Sequence, residues 1–129
     1  MGLYLQTGPT SEPLTTAEAK THLREDGSAQ DTYIDTLIKS ARMYCEEFTG
    51  RQLFTATWTW NCDGFPGDVD PPNRTTKSGN FIMPKPPFRS VTNISYLDVD
   101  GLSQTLATTV YGTDIYKEPG EIYLKWQQV

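Results

Sequence analysis

Apolar residues in the first half of the chain recur at the spacing of an amphipathic helix. They stand at offsets of 3, 4, 7, 11 and 14 from the first of them, which is a helical period. Ser28 precedes the run as a candidate N-cap, and Gly50 follows it where helices commonly end. We therefore expect a helix over about 29–49 with this stripe in the core. The stripe consists of Ile34, Leu37, Ile38, Ala41, Cys45 and Phe48.

A shorter helix is expected just before it. Thr15 is a candidate N-cap and Glu18 stands three residues later, which is the spacing of a capping box. This helix is expected over about 16–25, ending near Gly27. Residues 1–13 contain Pro, Gly, Ser and Thr, and we expect them to form an extended N-terminal arm.

After Gly50 the pattern changes from helical to alternating. Residues 54–62 carry apolar side chains at even positions and polar ones at odd positions, which is typical of a strand with one buried face. Trp58 and Trp60 share that face, and we expect them to pack against the core. The polar, Pro- and Gly-containing stretch 63–80 is expected to project as a long loop.

The second half of the chain carries further strand patterns. A short strand is expected at 81–83, two longer ones at 91–99 and 102–111, and a last one through Ile122, Leu124 and Trp126. Asp100-Gly101 between the middle pair favours a two-residue hairpin turn with both residues at positive φ. This turn predicts Leu97 opposite Gln104 and Ile94 opposite Ala107.

These patterns predict an α+β fold. Two N-terminal helices (about 16–25 and 29–49) are followed by a small, mainly antiparallel β-sheet with a long projecting loop. The arm at 1–13 precedes a single domain over residues 14–129, in which the helices occupy 14–50, the sheet 53–126 and the loop 63–80.

Charge and hydropathy exclude several classes of protein. The 129 residues hold 11 basic and 16 acidic side chains, for a net charge of −5, and no basic patch of the kind that nucleic-acid binders carry. No apolar run approaches 18 residues, so we expect no membrane span. The N-terminus lacks the basic and apolar regions of a signal peptide. We therefore expect an intracellular protein in which Cys45 and Cys62 are reduced, half-buried thiols.

Candidate catalytic chemistry is sparse. His22 is the single histidine, and it lies in the first expected helix with no nucleophile motif beside it. No Gly-rich phosphate loop precedes a helix. The acidic pairs in 68–70 and 98–100 lack the further ligands of a calcium loop. We expect no enzymatic activity, no metal and no cofactor. An enzyme is the least favoured of the functional classes that we consider.

Four stretches, in this order, resemble the tailed-phage head–tail connector family, also called head-completion or adaptor proteins. They are LTTAEAKTHLR at 14–24, IDTLIKSARMYCEEFTGRQL at 34–53, the segment from Trp58 to Pro66, and PPFRSVTNISYLDVDGLSQTL at 86–106. Within them, seven residues match the family pattern in what we expect to be structural positions. These are Arg24, Arg42, Glu46, Gly50, Arg51, Asp98 and Gly101.

The resemblance implies a virion assembly role at the head–tail junction, after synthesis in the host cytoplasm. Members of this family form a ring, usually twelvefold, below the portal protein. The ring extends the DNA channel toward a stopper or tail-completion protein, and the DNA passes through without specific binding. Members commonly continue past the position of Trp126 with another helical segment that helps to dock on the portal.

We expect the reaching elements of such a subunit to be the arm and the loop, ordered on assembly. Exposed aromatic and charged side chains there are candidate interface residues. The alternative function is a small intracellular binding module that uses the face bearing Trp58 and Trp60. The candidate interface residues are Phe65, Asp68, Asp70, Arg74, Lys77 and Phe81.

Overall fold

The computed structural model describes residues 2–64 and 80–125, which form two compact units divided after Asn61. The first unit contains one strand, two helices and a second strand, and the second unit contains strands only. The elements of the first unit are β1 (Gly2–Thr7), α1 (Thr16–Leu23), α2 (Asp31–Thr49) and β2 (Thr57–Asn61). Those of the second are β3 (Phe81–Ile82), β4 (Ser95–Leu97), β5 (Ser103–Thr105), β6 (Tyr111–Asp114) and β7 (Glu121–Leu124).

The N-terminal segment is extended, and it is paired within the chain. β1 runs antiparallel to β2, with Leu3 opposite Trp60 and Leu5 opposite Trp58, and the register shifts between Leu5 and Thr7. Residues 2–7 therefore belong to a sheet within the chain. We expected them to be part of an extended arm that becomes ordered on assembly. Because each paired residue lies at least 50 positions away, the local pattern at the N-terminus could not predict this pairing.

α1 begins where the sequence predicts and ends two residues early. The Thr15 side chain accepts from the Glu18 amide (3.2 Å), while a Glu18 carboxylate oxygen accepts from the Thr15 amide (2.8 Å), so the capping box is confirmed. The end at Leu23 follows from Arg24, which takes the left-handed conformation (φ 58°). That conformation stops the helix before residue 25.

α2 is the longest element, and its end is confirmed while its start is not. Its N-cap is Gln30, without a side-chain cap, and the Ser28 carbonyl accepts from the Asp31 amide (3.2 Å). The expected Ser28 cap and the start at 29 are therefore wrong. At the other end Gly50 has φ 65°, in the left-handed region that glycine adopts at little cost.

The buried side of α2 differs from the expected stripe. Its buried residues stand four apart: Ile34, Ile38, Arg42 and Glu46. The placement of Leu37, Ala41, Cys45 and Phe48 in the core is wrong, since all four are exposed. The apolar residues span a wider arc than the helix buries, and the period alone does not say which edge of that arc faces inward.

The second unit is built around a small three-stranded sheet in the order β3–β7–β6, with all pairs antiparallel. Ile122 and Leu124 of β7 are buried beside Tyr111 of β6 and Met83 after β3. The alternation of Ile122 and Leu124 thus correctly predicts the last strand. Trp126, which we expected to continue it, lies outside the described residues.

The β4–β5 hairpin has a different turn and register from those expected. The Asp98 amide donates to the Leu102 carbonyl (3.0 Å), so three residues separate the paired positions, and among them only Gly101 (φ 77°) has positive φ. Tyr96, not Leu97, therefore faces Gln104. A three-residue loop with glycine at its left-handed position is the usual alternative to the two-residue turn. The extra residue shifts every pair by one.

The class is mixed α+β, as the sequence predicts, but the described strands form three small antiparallel sheets and not one. The expected pair of long strands at 91–99 and 102–111 is also wrong, because β5 ends at Thr105 and Tyr111 begins a strand of another sheet. Among the described helices none has the length and apolarity to cross a membrane.

Candidate interaction surfaces

The interface residues proposed from the sequence are not brought together in the described part of the protein. Phe65, Asp68, Asp70, Arg74 and Lys77 lie outside the described residues. Phe81 begins β3, pairs with Ile122 across the sheet and is half-buried. The loop interface therefore stays a prediction.

Two of the family-pattern residues form the centre of a buried polar network. The Arg42 guanidinium donates two bonds to Glu12, from Nε to Oε2 (2.6 Å) and from Nη2 to Oε1 (3.1 Å). Its Nη1 donates to Glu46 Oε2 at 2.7 Å. Arg42 is 5% exposed and Glu46 is 6% exposed. The bonds to Glu12, together with the nearby carboxylates, raise the pKa of Arg42 above its ordinary value.

The second carboxylate oxygen of Glu46 extends this network beyond α2. Glu46 Oε1 accepts from Gln52 Nε2 (2.7 Å) and from the Leu53 amide (3.0 Å). Gln52 Oε1 in turn accepts from Trp58 Nε1 at 3.0 Å. Within the described residues no buried side-chain polar atom lacks a partner. The network joins the segment before α1 to α2 and to the approach to β2, which is a structural role.

The remaining family-pattern residues serve the backbone. Arg24 and Gly50 occupy the left-handed C-caps of α1 and α2. The Arg51 amide donates to the Glu46 carbonyl at 3.1 Å and closes the last turn of α2. Asp98 and Gly101 shape the β4–β5 turn. Within the described residues, these positions therefore cap helices, close a helical turn and shape a hairpin.

α2 presents an exposed apolar surface, which we call the α2 apolar face. Its members fall within an arc of about 120° at the pitch of an α-helix, and no charged residue of α2 lies in that arc. Tyr44 is 71% exposed and Phe48 81% exposed. Their rings stack with centroids 6.2 Å apart. The α2 apolar face consists of Tyr33, Leu37, Ala41, Tyr44, Cys45 and Phe48.

The second unit carries an exposed apolar surface of its own at the hairpin turn. Leu97, Val99 and Leu102, which we call the β4–β5 tip, are 71%, 102% and 61% exposed. Monomeric proteins leave few such groups of neighbouring aliphatic side chains in water. The tip is therefore a second candidate contact surface.

Asp98 organises the β4–β5 tip from within. Its Oδ2 accepts from Gln104 Nε2 (2.9 Å), and its Oδ1 accepts from the amides of Leu102 (2.9 Å) and Asp100 (3.0 Å). These bonds, that from Gln104 foremost, lower the pKa of Asp98 below its ordinary value. Because the carboxylate holds the turn, the three aliphatic side chains are presented on a pre-organised loop.

Other candidate sites offer less. Trp58 and Trp60 are both half-buried, so neither ring offers a fully exposed surface on which a ligand could stack. An open depression of about 690 Å³ lies beside α1, and the Lys20–Asp31 ion pair (2.7 Å) lies in its wall. His22 lies on α1, as expected, and it is exposed. In residues 2–64 and 80–125 no group of three or more His, Cys, Asp or Glu could hold a metal ion.

The cysteines differ from each other. Both are free thiols, but Cys45 is exposed on α2 and Cys62 is half-buried. The expectation that both are half-buried is therefore wrong for Cys45. Burial is the main cause that raises the pKa of Cys62 above its ordinary value.

Comparisons with family models, with curated proteins and with solved structures find no match to this chain. The resemblance to the connector family therefore rests on the four sequence stretches.

Sequence reasoning missed both exposed apolar surfaces. The sequence carried a signal for each surface. For the α2 apolar face, Tyr33 and Tyr44 make the apolar stripe of the helix wider than a small unit can bury. For the β4–β5 tip, Val99 and Leu102 flank Asp100-Gly101, although residues in turns are usually polar.

Proposed function

We propose that this protein is a structural subunit of a tailed-phage head–tail connector. Copies associate into a ring, usually twelvefold in this family, below the portal protein. The ring extends the DNA channel toward a stopper or tail-completion protein. The protein acts by assembling and not by catalysis.

The α2 apolar face is the observation that carries the proposal. Three aromatic side chains on one face, exposed to between 61% and 81%, leave roughly 400 Å² of ring surface in water. Patches of this size on soluble proteins commonly mark interaction sites. A subunit whose α2 apolar face becomes buried on assembly would account for such a surface.

The positions of the resembling stretches give further support. They supply α1, most of α2, most of β2 and the β4–β5 hairpin. Their pattern residues hold caps, the Arg42–Glu46 pair and a turn. Residues that build a scaffold, beside surfaces that remain exposed, suit a protein whose role is mechanical.

The charge of the chain suits a DNA conduit. With a net charge of −5, the chain as a whole repels phosphates and does not attract them through counterion release. DNA would pass a ring of such subunits without specific binding.

Co-sedimentation with portal-bearing, tailless heads tests the function directly. We expect saturable binding, with rings visible below the portal by negative-stain microscopy. Heads that lack the portal are the matched control and should not bind. Absence of binding to portal-bearing heads would contradict the connector assignment, as would equal binding to both kinds of head.

A deletion tests the proposed loop interface separately. Removal of residues 66–79 should leave the far-ultraviolet circular dichroism spectrum and the urea midpoint close to those of the full chain. The same deletion should abolish incorporation into heads. Normal incorporation of a folded deletion variant would remove the loop from the interface while leaving the connector role in place.

A further inference from the structure

The Arg42 network contains one contact that differs from the others. Arg42 and Glu46 lie four positions apart on α2, and both are buried. Glu12 lies between β1 and α1, on residues 8–13, which we call the connector, and 28% of its side chain is exposed. We propose that the Glu12–Arg42 contact is a latch. When it opens, β1 and the connector detach together, while α2 and its bonds through Glu46 stay in place.

The charges of the network allow this contact to open. Arg42 donates to Glu12 through Nε and Nη2 and to Glu46 through Nη1. When Glu12 leaves, its carboxylate enters water and Arg42 keeps Glu46 as its buried partner. Loss of Glu46 would instead remove the acceptor that holds Gln52 and the Leu53 amide. Because no charge is left buried alone, opening at Glu12 costs less than opening at Glu46.

β1 is held mainly by its pairing with β2. Four of its six residues are exposed, and β2 is its pairing partner among the described strands. The register shifts between Leu5 and Thr7, so the ladder is irregular where it meets the connector. Two-stranded ladders are marginally stable in water by themselves. We therefore expect β1 to open at a lower free energy than α2, on which Ile34 and Ile38 are buried.

The segment that opens has a defined end at α1. The connector is described throughout and belongs to no helix or strand. Pro9 and Pro13 within it have no amide hydrogen to donate. The capping box of Thr15 and Glu18 then fixes the first turn of α1. Opening therefore involves residues 2–13 and stops where this helix begins.

Opening uncovers one edge of β2. Leu5 lies opposite Trp58 in the ladder, and Trp58 Nε1 donates to Gln52 Oε1 at 3.0 Å. Because Gln52 is bonded to Glu46, Trp58 stays tied to α2 when β1 leaves. The open state therefore combines a free arm, residues 2–13, with a strand edge beside a tryptophan that is held in place. The latch belongs to the first unit alone, so its tests do not depend on the connector assignment.

Hydrogen exchange followed by NMR in low concentrations of urea tests whether the segment opens separately. The probes are the β1 amides that bond to β2 and the amide of Ile38, which is buried on α2. The urea dependence of each exchange rate measures the surface that is exposed when that amide opens. In the wild type we expect the β1 amides to exchange at least about tenfold faster than Ile38, with a smaller urea dependence. Coincident rates and slopes would overturn the proposal, since β1 would then open only when the unit unfolds.

Substitutions test whether Glu12 fastens the segment. Glu12→Ala removes both bonds to the guanidinium and should speed exchange of the β1 amides about 10- to 100-fold, the range for loss of a charge-assisted hydrogen bond. Glu12→Gln keeps an acceptor oxygen without the charge and should give a smaller increase. Asp26→Asn is the control, because it removes one negative charge from an exposed position of the same unit, and it should leave exchange unchanged. If Glu12→Ala also left the β1 amides unchanged, the strand would be held without the latch and the proposal would fail.

A covalent lock gives an independent check. Tyr4 lies opposite Thr59 in the ladder, and both are exposed. Tyr4→Cys with Thr59→Cys supplies one pair of thiols once Cys45→Ser and Cys62→Ser have removed the native ones. Diamide oxidises the pair to a disulfide and takes up two electrons and two protons. In the oxidised protein the β1 amides should slow toward the rate of Ile38, and reduction should restore the faster rate. Equal β1 rates in the two forms would rule out opening of this segment as a unit.

Discussion

At the scale of single residues, Arg42 shows how context changes the meaning of a helical charge. Its spacing from Glu46 is that of an i, i+4 ion pair, which usually lies on the surface of a helix. In the structure both side chains are buried, and Glu12, 30 positions before Arg42, completes the site. The buried guanidinium and the buried Glu46 carboxylate stabilise the fold only when both are present. Removing one of these groups leaves the other charge buried without its partner.

Arg42→Met should therefore lower the free energy of unfolding by about 3–5 kcal/mol, because the Glu46 carboxylate loses its buried partner. Urea denaturation followed by circular dichroism measures the loss. Lys39→Met, at an exposed position of the same helix, is the control and should change stability by at most about 0.5 kcal/mol. Adding Glu46→Leu to Arg42→Met should restore part of the loss. Equal losses in Arg42→Met and the control would contradict a buried network.

The Asp98 carboxylate predicts a pH dependence of the β4–β5 hairpin. Because hydrogen bonds lower its pKa from the ordinary 3.8, the ionised form stabilises the turn above pH 3.8, and this stability is lost as the pH falls through the lowered pKa. The Leu102 amide resonance should report the titration by NMR. Gln104→Ala should move the midpoint upward, since Gln104 is the main cause, and Thr108→Ala should not. A midpoint at or above 3.8 in the wild type would be the contrary result.

At the scale of secondary-structure elements, the start of α1 and the end of α2 follow from local sequence, whereas the buried face of α2 does not. The Thr15–Glu18 capping box and the Gly50 stop both involve groups within a few positions of one another, and both are confirmed. Four of the six residues expected on the buried side of α2 are exposed, because Ile34 and Leu37 are equally apolar neighbours in the pattern. Which of them faces inward depends on what packs against the helix.

The hairpin shows how one backbone angle decides an element's register. Gly101 has φ 77°, and a Cβ built there would meet nothing within 4 Å, so Gly101→Ala tests the angle without a steric clash. We expect a cost of about 1–2 kcal/mol for a left-handed alanine, or roughly tenfold faster exchange of the Leu106 amide, which bonds to the Ile94 carbonyl at 2.8 Å. Gly8→Ala, where the nearest atom is 3.8 Å away, should leave this exchange unchanged. Unchanged exchange in both variants would argue against strain at residue 101.

At the scale of the whole molecule, acidity and exposed apolar surface act against each other. The net charge of −5 keeps copies apart, while the α2 apolar face and the β4–β5 tip favour contact. If copies associate as proposed, the balance of these two effects sets the concentration at which they do so.

Added salt should therefore strengthen self-association. Raising NaCl from about 50 mM to about 500 mM shortens the screening length from about 14 Å to about 4 Å, which weakens repulsion between copies and leaves an apolar contact in place. Sedimentation equilibrium should give a lower apparent dissociation constant at the higher salt. Phe48→Glu should stay monomeric at both. Weaker association of the wild type at high salt would mean that ion pairs hold the copies together.

Local sequence specifies the parts of this protein that depend on near neighbours: the two helices, the cap at Thr15, the stop at Gly50 and the alternation that buries Ile122 and Leu124. It also places a turn at Asp100-Gly101, although the loop has three residues and not the two expected. Caps, turns and periodicity arise from bonds and side-chain directions within a few residues. Tertiary packing determines which side of α2 is buried, that β1 pairs with β2, and that Arg42 lies beside Glu12. These features join residues far apart in the chain, so no local pattern specifies them. They also leave the α2 apolar face in water, where it can meet another protein.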